Sequence, residues 1–182
     1  MDQKNSRRNF LRTTAVATVG LSLIGTAGLA NSKSSKNFPG YSSISDSKTD
    51  FRSGLILDDY LHIKGQLLCE DTLLPVSNAK IEVWFQVEGK PWKIKRGHFF
   101  TDAMGNYSFK SDWPGKKESE KRRFYFRVSK NGAEKYGLMC VDEFRAYAHS
   151  SHWENHHVLG DKVLPTMKKQ TLKHSIELNF SL

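Results

Sequence analysis

Four of the seven histidines crowd into one segment, Tyr147-Ala148-His149-Ser150-Ser151-His152-Trp153-Glu154-Asn155-His156-His157. Neutral imidazole is the commonest protein metal ligand. On a helix, His149, His152 and His156 would stand at i, i+3 and i+7 and share one side. His152 and His156 alone have the i, i+4 spacing seen in zinc helices. With His157, and with Asp142, Glu143 or Glu154 as carboxylate partners, the set would accept zinc, copper, nickel or non-haem iron. The competing reading is a polar surface loop, because no hydrophobic repeat holds the segment in a helix. The metal reading requires the imidazoles to converge within about 2.0–2.1 Å of one point.

Cys69 and Cys140 form the second constellation. An oxidising compartment would permit a disulfide between them. The alternative is two buried free thiols, since both lie in apolar, strand-like runs (Leu67-Leu68-Cys69 and Leu138-Met139-Cys140-Val141). Trp92, Trp113 and Trp153 sit beside turns, where they would line a face for a sugar or a phenol. A Gly-x-Ser-x-Gly elbow, a phosphate loop and a dinucleotide fingerprint are all missing.

The elements that must position these residues are short β-type runs. Residues 60–68 form one run. Residues 79–87 alternate through Ile81, Val83 and Phe85. Asn106–Lys110, Arg123–Val128 and Ser175–Leu182 follow the same rule. Turn signals at Leu74-Pro75, Gly89-Lys90-Pro91, Asp102–Gly105, Trp113-Pro114-Gly115 and Lys130-Asn131-Gly132 punctuate them. No long helical period occurs in residues 53–182. The pattern predicts an all-β fold, a single antiparallel sandwich with most of the strand aromatics in its core.

The chain has 182 residues, 28 Lys+Arg and 19 Asp+Glu, for a formal charge of +9. Part of that excess is address. Arg7-Arg8-Asn9-Phe10-Leu11, then a weakly apolar run to Leu29 with small residues near Ala30, reads as a twin-arginine export signal over residues 1–30. Its removal takes four basic residues and one acidic residue, leaving 24 − 18 = +6. Residues 31–52, rich in Ser and Lys, read as a flexible leader, and 53–182 as the domain. The expected location is the periplasm or the exterior, with the twin-arginine machinery as a partner. The basic run at 116–123 is interrupted by two glutamates and reads as a solvated loop, so no nucleic-acid partner is expected. No apolar stretch is long enough for a stable transmembrane helix.

One stretch is more specific. Gly65, Leu74-Pro75-Val76, Ala79–Trp84, Arg96-Gly97, Thr101-Asp102, Gly105–Phe109 and Pro114-Gly115 occur in an order that resembles the core of the intradiol ring-cleavage dioxygenases. Part of the pattern also occurs in transthyretin-like sandwiches. The resemblance implies a β-sandwich that opens catechols with ferric iron held by two tyrosinates and two imidazoles. Hard phenolate oxygen suits ferric iron, which gives that ligand set its logic.

The ligand positions do not match. Gly89 is followed by Lys90-Pro91-Trp92, and Pro114-Gly115 by Lys116-Lys117, where the family has tyrosines. Arg123 and Tyr125 occupy the positions of the family's His-x-His pair. The cofactor implied is iron(III) if that chemistry survives, otherwise a histidine-bound metal or none. Two functions follow. One is an exported, metal-dependent oxidoreductase of dioxygenase type, acting on a catechol or related small aromatic. The other is a non-catalytic sandwich that binds a carbohydrate, a peptide or an envelope partner.

Overall fold

The computed structural model describes residues 41–42, 46–54, 59–115 and 121–182. The export signal, Arg7 and Arg8 included, lies outside the described residues.

The elements run β1 (Tyr60–Leu68), β2 (Lys80–Val87), β3 (Lys90–Phe100), β4 (Asn106–Ser111), β5 (Arg122–Lys130), β6 (Ala133–Val141) and β7 (Ala146–Ala148). Helix α1 (Ser150–His156), a 3-10 segment (His157–Val163) and strands β8 (Thr166–Lys169), β9 (Lys173–Glu177) and β10 (Phe180–Ser181) complete the chain. They make two five-stranded sheets. One is ordered β3-β2-β5-β6-β7. In the other, β1 is central, with β4 on one side and β9 then β8 on the other. β10 continues beside the end of β1, where β9 has stopped.

Most ladders are antiparallel, as the close turns predict. The exceptions are β9 and β10, which run parallel to β1. They reach β1 after the α1 excursion and not through a tight hairpin, which frees them from antiparallel pairing.

The inward residues of both sheets make one core. Ile63, Ile81, Val83, Phe85, Phe109, Phe124, Phe126, Ile176 and Phe180 are at most 1% exposed. Each such side chain contributes roughly 1.5–3 kcal/mol on burial, and packed ring pairs such as Phe85–Phe124, with centroids 4.8 Å apart, add to that.

The leader is shorter than its composition predicts. Residues 46–51 bridge the open edges of β3 and β4. Lys48 N donates to His98 O at 2.9 Å, and Lys110 N donates to Thr49 O at 2.8 Å. Phe51 is fully buried against Phe85 and Phe109. One aromatic anchor and a run of edge hydrogen bonds outweigh the Ser- and Lys-rich composition. Gly97 on β3 admits this packing, because a Cβ there would lie 2.8 Å from the Phe51 ring.

Candidate functional site

Strand alternation places Arg123 and Tyr125 on the outer face of the β2-β5-β6 sheet, since Phe124 and Phe126 between and after them point into the core. Tyr125 stands opposite Trp84 on β2 and Leu138 on β6. The Trp84 and Tyr125 rings stack at 5.7 Å and 16°. Tyr41 closes over Trp84 at 5.2 Å and meets Tyr136 edge-on at 6.4 Å. Under these rings Trp84 is only 1% exposed. The place beside Tyr125 is therefore filled by aromatic side chains.

Arg123 stands opposite Cys140, which stands opposite Tyr147. Burial raises the Cys140 thiol pKa, opposed by Arg123 and Lys121. Lys121 lies 4.5 Å from the Tyr147 ring centroid.

Further along this face sits a charge network. Glu82 is 1% exposed. It accepts from Lys80 Nζ at 2.8 Å and from Arg127 Nη1 at 2.6 Å, while Tyr41 Oη donates to it at 3.3 Å. Arg127 also pairs with Glu134. Burial works against the Glu82 carboxylate, but the hydrogen bonds from Lys80 and Arg127 outweigh it and hold the group below the usual range. Burial, then Glu82, pushes the Tyr41 phenol up, and burial, then Glu134, does the same to Tyr136. His98 stands opposite Glu82 on β3, whereas His62 and His174 belong to the other sheet.

The four clustered histidines do not form a centre. His149 precedes α1 and caps it, its Nδ1 accepting from Ser151 N at 3.3 Å. His157 is exposed and turns to the Glu154 carbonyl. His152 and His156 are fully buried, with ring centroids 4.6 Å apart, and both pack on Phe180. Ser181 N donates to His156 Nδ1 at 3.1 Å, so Nε2 carries the hydrogen and donates to the Tyr136 carbonyl at 3.1 Å. Among the described residues no three His, Cys, Asp or Glu side chains are placed to hold one metal ion. The segment does form a helix, but it begins at Ser150, one residue after His149, which is its N-cap. Asp142 instead accepts backbone hydrogen bonds from Phe144 and Arg145 in the β6–β7 turn.

Cys69 and Cys140 are both free. Cys69 follows β1 in one sheet and Cys140 lies on β6 in the other, so the sandwich keeps apart what a disulfide would have to join. Trp92 is 80% exposed on edge strand β3, Trp153 is 46% exposed on α1, and Trp113 packs on His174 at 5.0 Å. They belong to different elements and make no common aromatic face.

Sequence reasoning missed a groove of about 780 Å³ on the opposite sheet, along β1 and β4. Lys64, Gln66, Phe100, Ser108 and Lys162 are among its lining residues, with Asp102 and Glu177 as its carboxylates. The signal was present: His62, Lys64 and Gln66 alternate with core residues in β1, as Asn106, Ser108 and Lys110 do in β4.

No family model matches the sequence, and no curated protein matches it either. Solved structures do. The dioxygenase domain of a dioxygenase–carbohydrate-binding protein fusion from Streptomyces sp. SirexAA-E superposes with a TM-score of 0.58 at 14% identity, over 80% of this chain and 93% of that one. An intradiol ring-cleavage dioxygenase from Tetranychus urticae gives 0.58 at 17% identity, over 79% and 90%. Catechol 1,2-dioxygenase from Pseudomonas arvilla C-1 gives 0.52 at 12% identity, over 77% and 58%. The fold is that of the intradiol dioxygenases.

The iron of that family does not fit the residues here. Every tyrosine and every histidine of the chain lies among the described residues, so the donor set can be judged directly. The two positions that the sequence resemblance aligns with the intradiol His-x-His pair hold a guanidinium and a stacked phenol. A cation at Arg123 repels a metal ion at short range.

Proposed function

We propose that this chain is an exported protein of intradiol dioxygenase fold that works by binding and not by ferric ring cleavage. The observation that carries the reading is Tyr125. The resemblance read from the sequence aligns it with an iron ligand of the family, but its ring is stacked on Trp84, which Tyr41 covers in turn, and the same alignment puts Arg123 at the neighbouring ligand position. A catechol would have to displace that packing to reach a metal at this place. Export rests on the Arg7-Arg8 signal and the small residues near Ala30. Of the ligand classes open to a non-catalytic sandwich, a carbohydrate is favoured, because the open groove on the β1 sheet is walled by amide and hydroxyl side chains.

The test is metal content, visible spectrum and catechol turnover on the full chain purified without a His-tag and then offered ferric iron. The expected result is no tyrosinate charge-transfer band and no ring cleavage. Stoichiometric iron with such a band, and oxygen uptake with catechol, would establish the metal-dependent oxidoreductase instead. Export is tested by fractionation: Arg7→Lys with Arg8→Lys is expected to leave the protein in the cytoplasm, and unchanged export would remove the twin-arginine reading.

A further inference from the structure

The two outer faces of the sandwich handle charge differently. On the β2-β5-β6 face, cations meet carboxylates: Lys80 and Arg127 meet Glu82, and Arg127 also meets Glu134. On the face of β4-β1-β9-β8 they do not. Lys110, His62, Ser175 and Lys168 are in register across the four strands. Their neighbours Leu61, Ile63 and Ile176 point into the core, so this row points outward. At a strand spacing of about 4.8 Å the row is about 14 Å long. The next row along holds Ser108, Lys64 and Glu177, and Lys173 lies beside Tyr60 on the other flank. Among the described residues, Lys64, Lys110, Lys168 and Lys173 make no ion pair; the carboxylates of the two rows are Glu177 and, beyond Lys110, Asp50, which pairs with Arg52.

His62 sits within this field. Its Nδ1 is buried without a hydrogen-bond partner. Burial first, then Lys173, Lys110 and Lys64, hold its pKa below the ordinary range. Three lysines are thus close enough to oppose a fourth positive charge. The groove opens on the same face, between Lys64 and Lys162. The Gln66 amide and the Ser108 hydroxyl offer donors and acceptors on its walls, and Phe100, 53% exposed, offers a ring face.

We propose that this face binds an anionic polysaccharide. The inference rests on the reading of the chain as an exported binding protein and names the ligand class. Lysines in cross-strand rows take the carboxylates, as charge-assisted hydrogen bonds to a chain laid across the strands. The groove takes sugar rings, with hydroxyls against Gln66 and Ser108 and an apolar ring face on Phe100. A bilayer would need large apolar anchors beside the lysines, and the most exposed ones, Trp92, Phe144 and Leu74, lie on other elements.

The test is binding of the full chain to immobilised polygalacturonate, with a neutral galactan, a DNA duplex and phosphatidylglycerol vesicles as comparisons. Binding to polygalacturonate is expected at about 0.02 M salt and much weaker at about 0.3 M, because the contacts are exposed and screened. Lys64→Gln with Lys110→Gln is expected to weaken it on the order of tenfold or more. Lys90→Gln with Lys93→Gln, equal in charge change but on the other sheet, is expected to leave it unchanged. Equal losses in the two double variants, or no binding to polygalacturonate, would overturn the proposal. So would tighter binding to DNA or vesicles that is lost in the Lys64/Lys110 variant, which would assign the face to that partner. Neither iron nor catechol enters these readouts, so failure here is separable from failure of the Tyr125 reading.

Discussion

Acidification gives the sharpest test of the buried histidine pair. His152 is fully buried between α1, Gly137 of β6 and Phe180, and neither ring nitrogen has a hydrogen-bond partner of good geometry. Burial pulls its pKa from 6.5 down to about 4, against weak support for the cation from the Val163 and Asn179 backbone. The folded state therefore resists a proton that the unfolded chain accepts. Stability is complete above pH 6.5 and is lost as pH falls towards 4. At about 1.4 kcal/mol per pH unit, the loss at pH 4.5 is about 2.5 kcal/mol from this one residue. His156 is shifted the same way, by burial and then by His152 and Lys135, and adds to it. All other ionisable groups are the same in the two proteins compared, so the difference between them isolates His152. The assay is urea unfolding at pH 7.5 and 4.5, for wild type and His152→Leu. The variant is expected to lose about 2.5 kcal/mol less on acidification. An equal loss in both proteins would refute the buried neutral imidazole.

Three further outcomes follow from packing and charge. Gly137→Ala would bring a Cβ within 2.7 Å of both His152 Nδ1 and Phe180 Cε1, and a loss of about 1–3 kcal/mol in chemical unfolding is expected. Arg127→Met leaves Glu82 buried with Lys80 as its remaining cation; a loss of about 2–3 kcal/mol at pH 7 is expected, shrinking in the double variant with Glu82→Gln. Phe51→Ala should cost about 3–5 kcal/mol by thermal or urea unfolding, whereas a mobile leader would show no change.

How much was legible follows from where the information lies. β1, β2, β4 and β5 could be read because their core residues recur at every second position; in β2 the outward Glu82 and Trp84 are buried as well, which the alternation does not reveal. β3 was not read. It starts Lys-Pro-Trp-Lys, and its early residues face solvent at the sheet edge, so the alternation is drowned by lysines. β6 was read only as an apolar, strand-like run around Cys140, because six buried residues in succession, Tyr136 to Val141, erase the period of two. The histidine spacing left a helix and a polar loop both open, and the structure has a short helix over Ser150–His156. The spacing could not say that two of the rings would become core, because that depends on Phe180 arriving from the far end of the chain. The lysine rows were unreadable for the same reason: they need the register of four strands, and β8 and β9 join β1 only after the α1 excursion.

The alternation that makes the fold readable also explains why fold and chemistry separate here. Along β5 the inward residues Phe124, Phe126 and Val128 are fully buried and specify the sandwich. The outward residues Arg123, Tyr125 and Arg127 contribute little to that core. A strand can therefore keep the first set and exchange the second without leaving the architecture. The superpositions on dioxygenases register the backbone path that the inward set specifies. The positions that the sequence resemblance aligns with the family's His-x-His pair belong to the outward set, and there Tyr125 turns flat onto Trp84. Structural likeness to the intradiol enzymes is thus evidence about one side of each strand, and the function must be sought in what the other sides display: aromatic packing and paired charge on one face, unpaired lysines and a groove on the other.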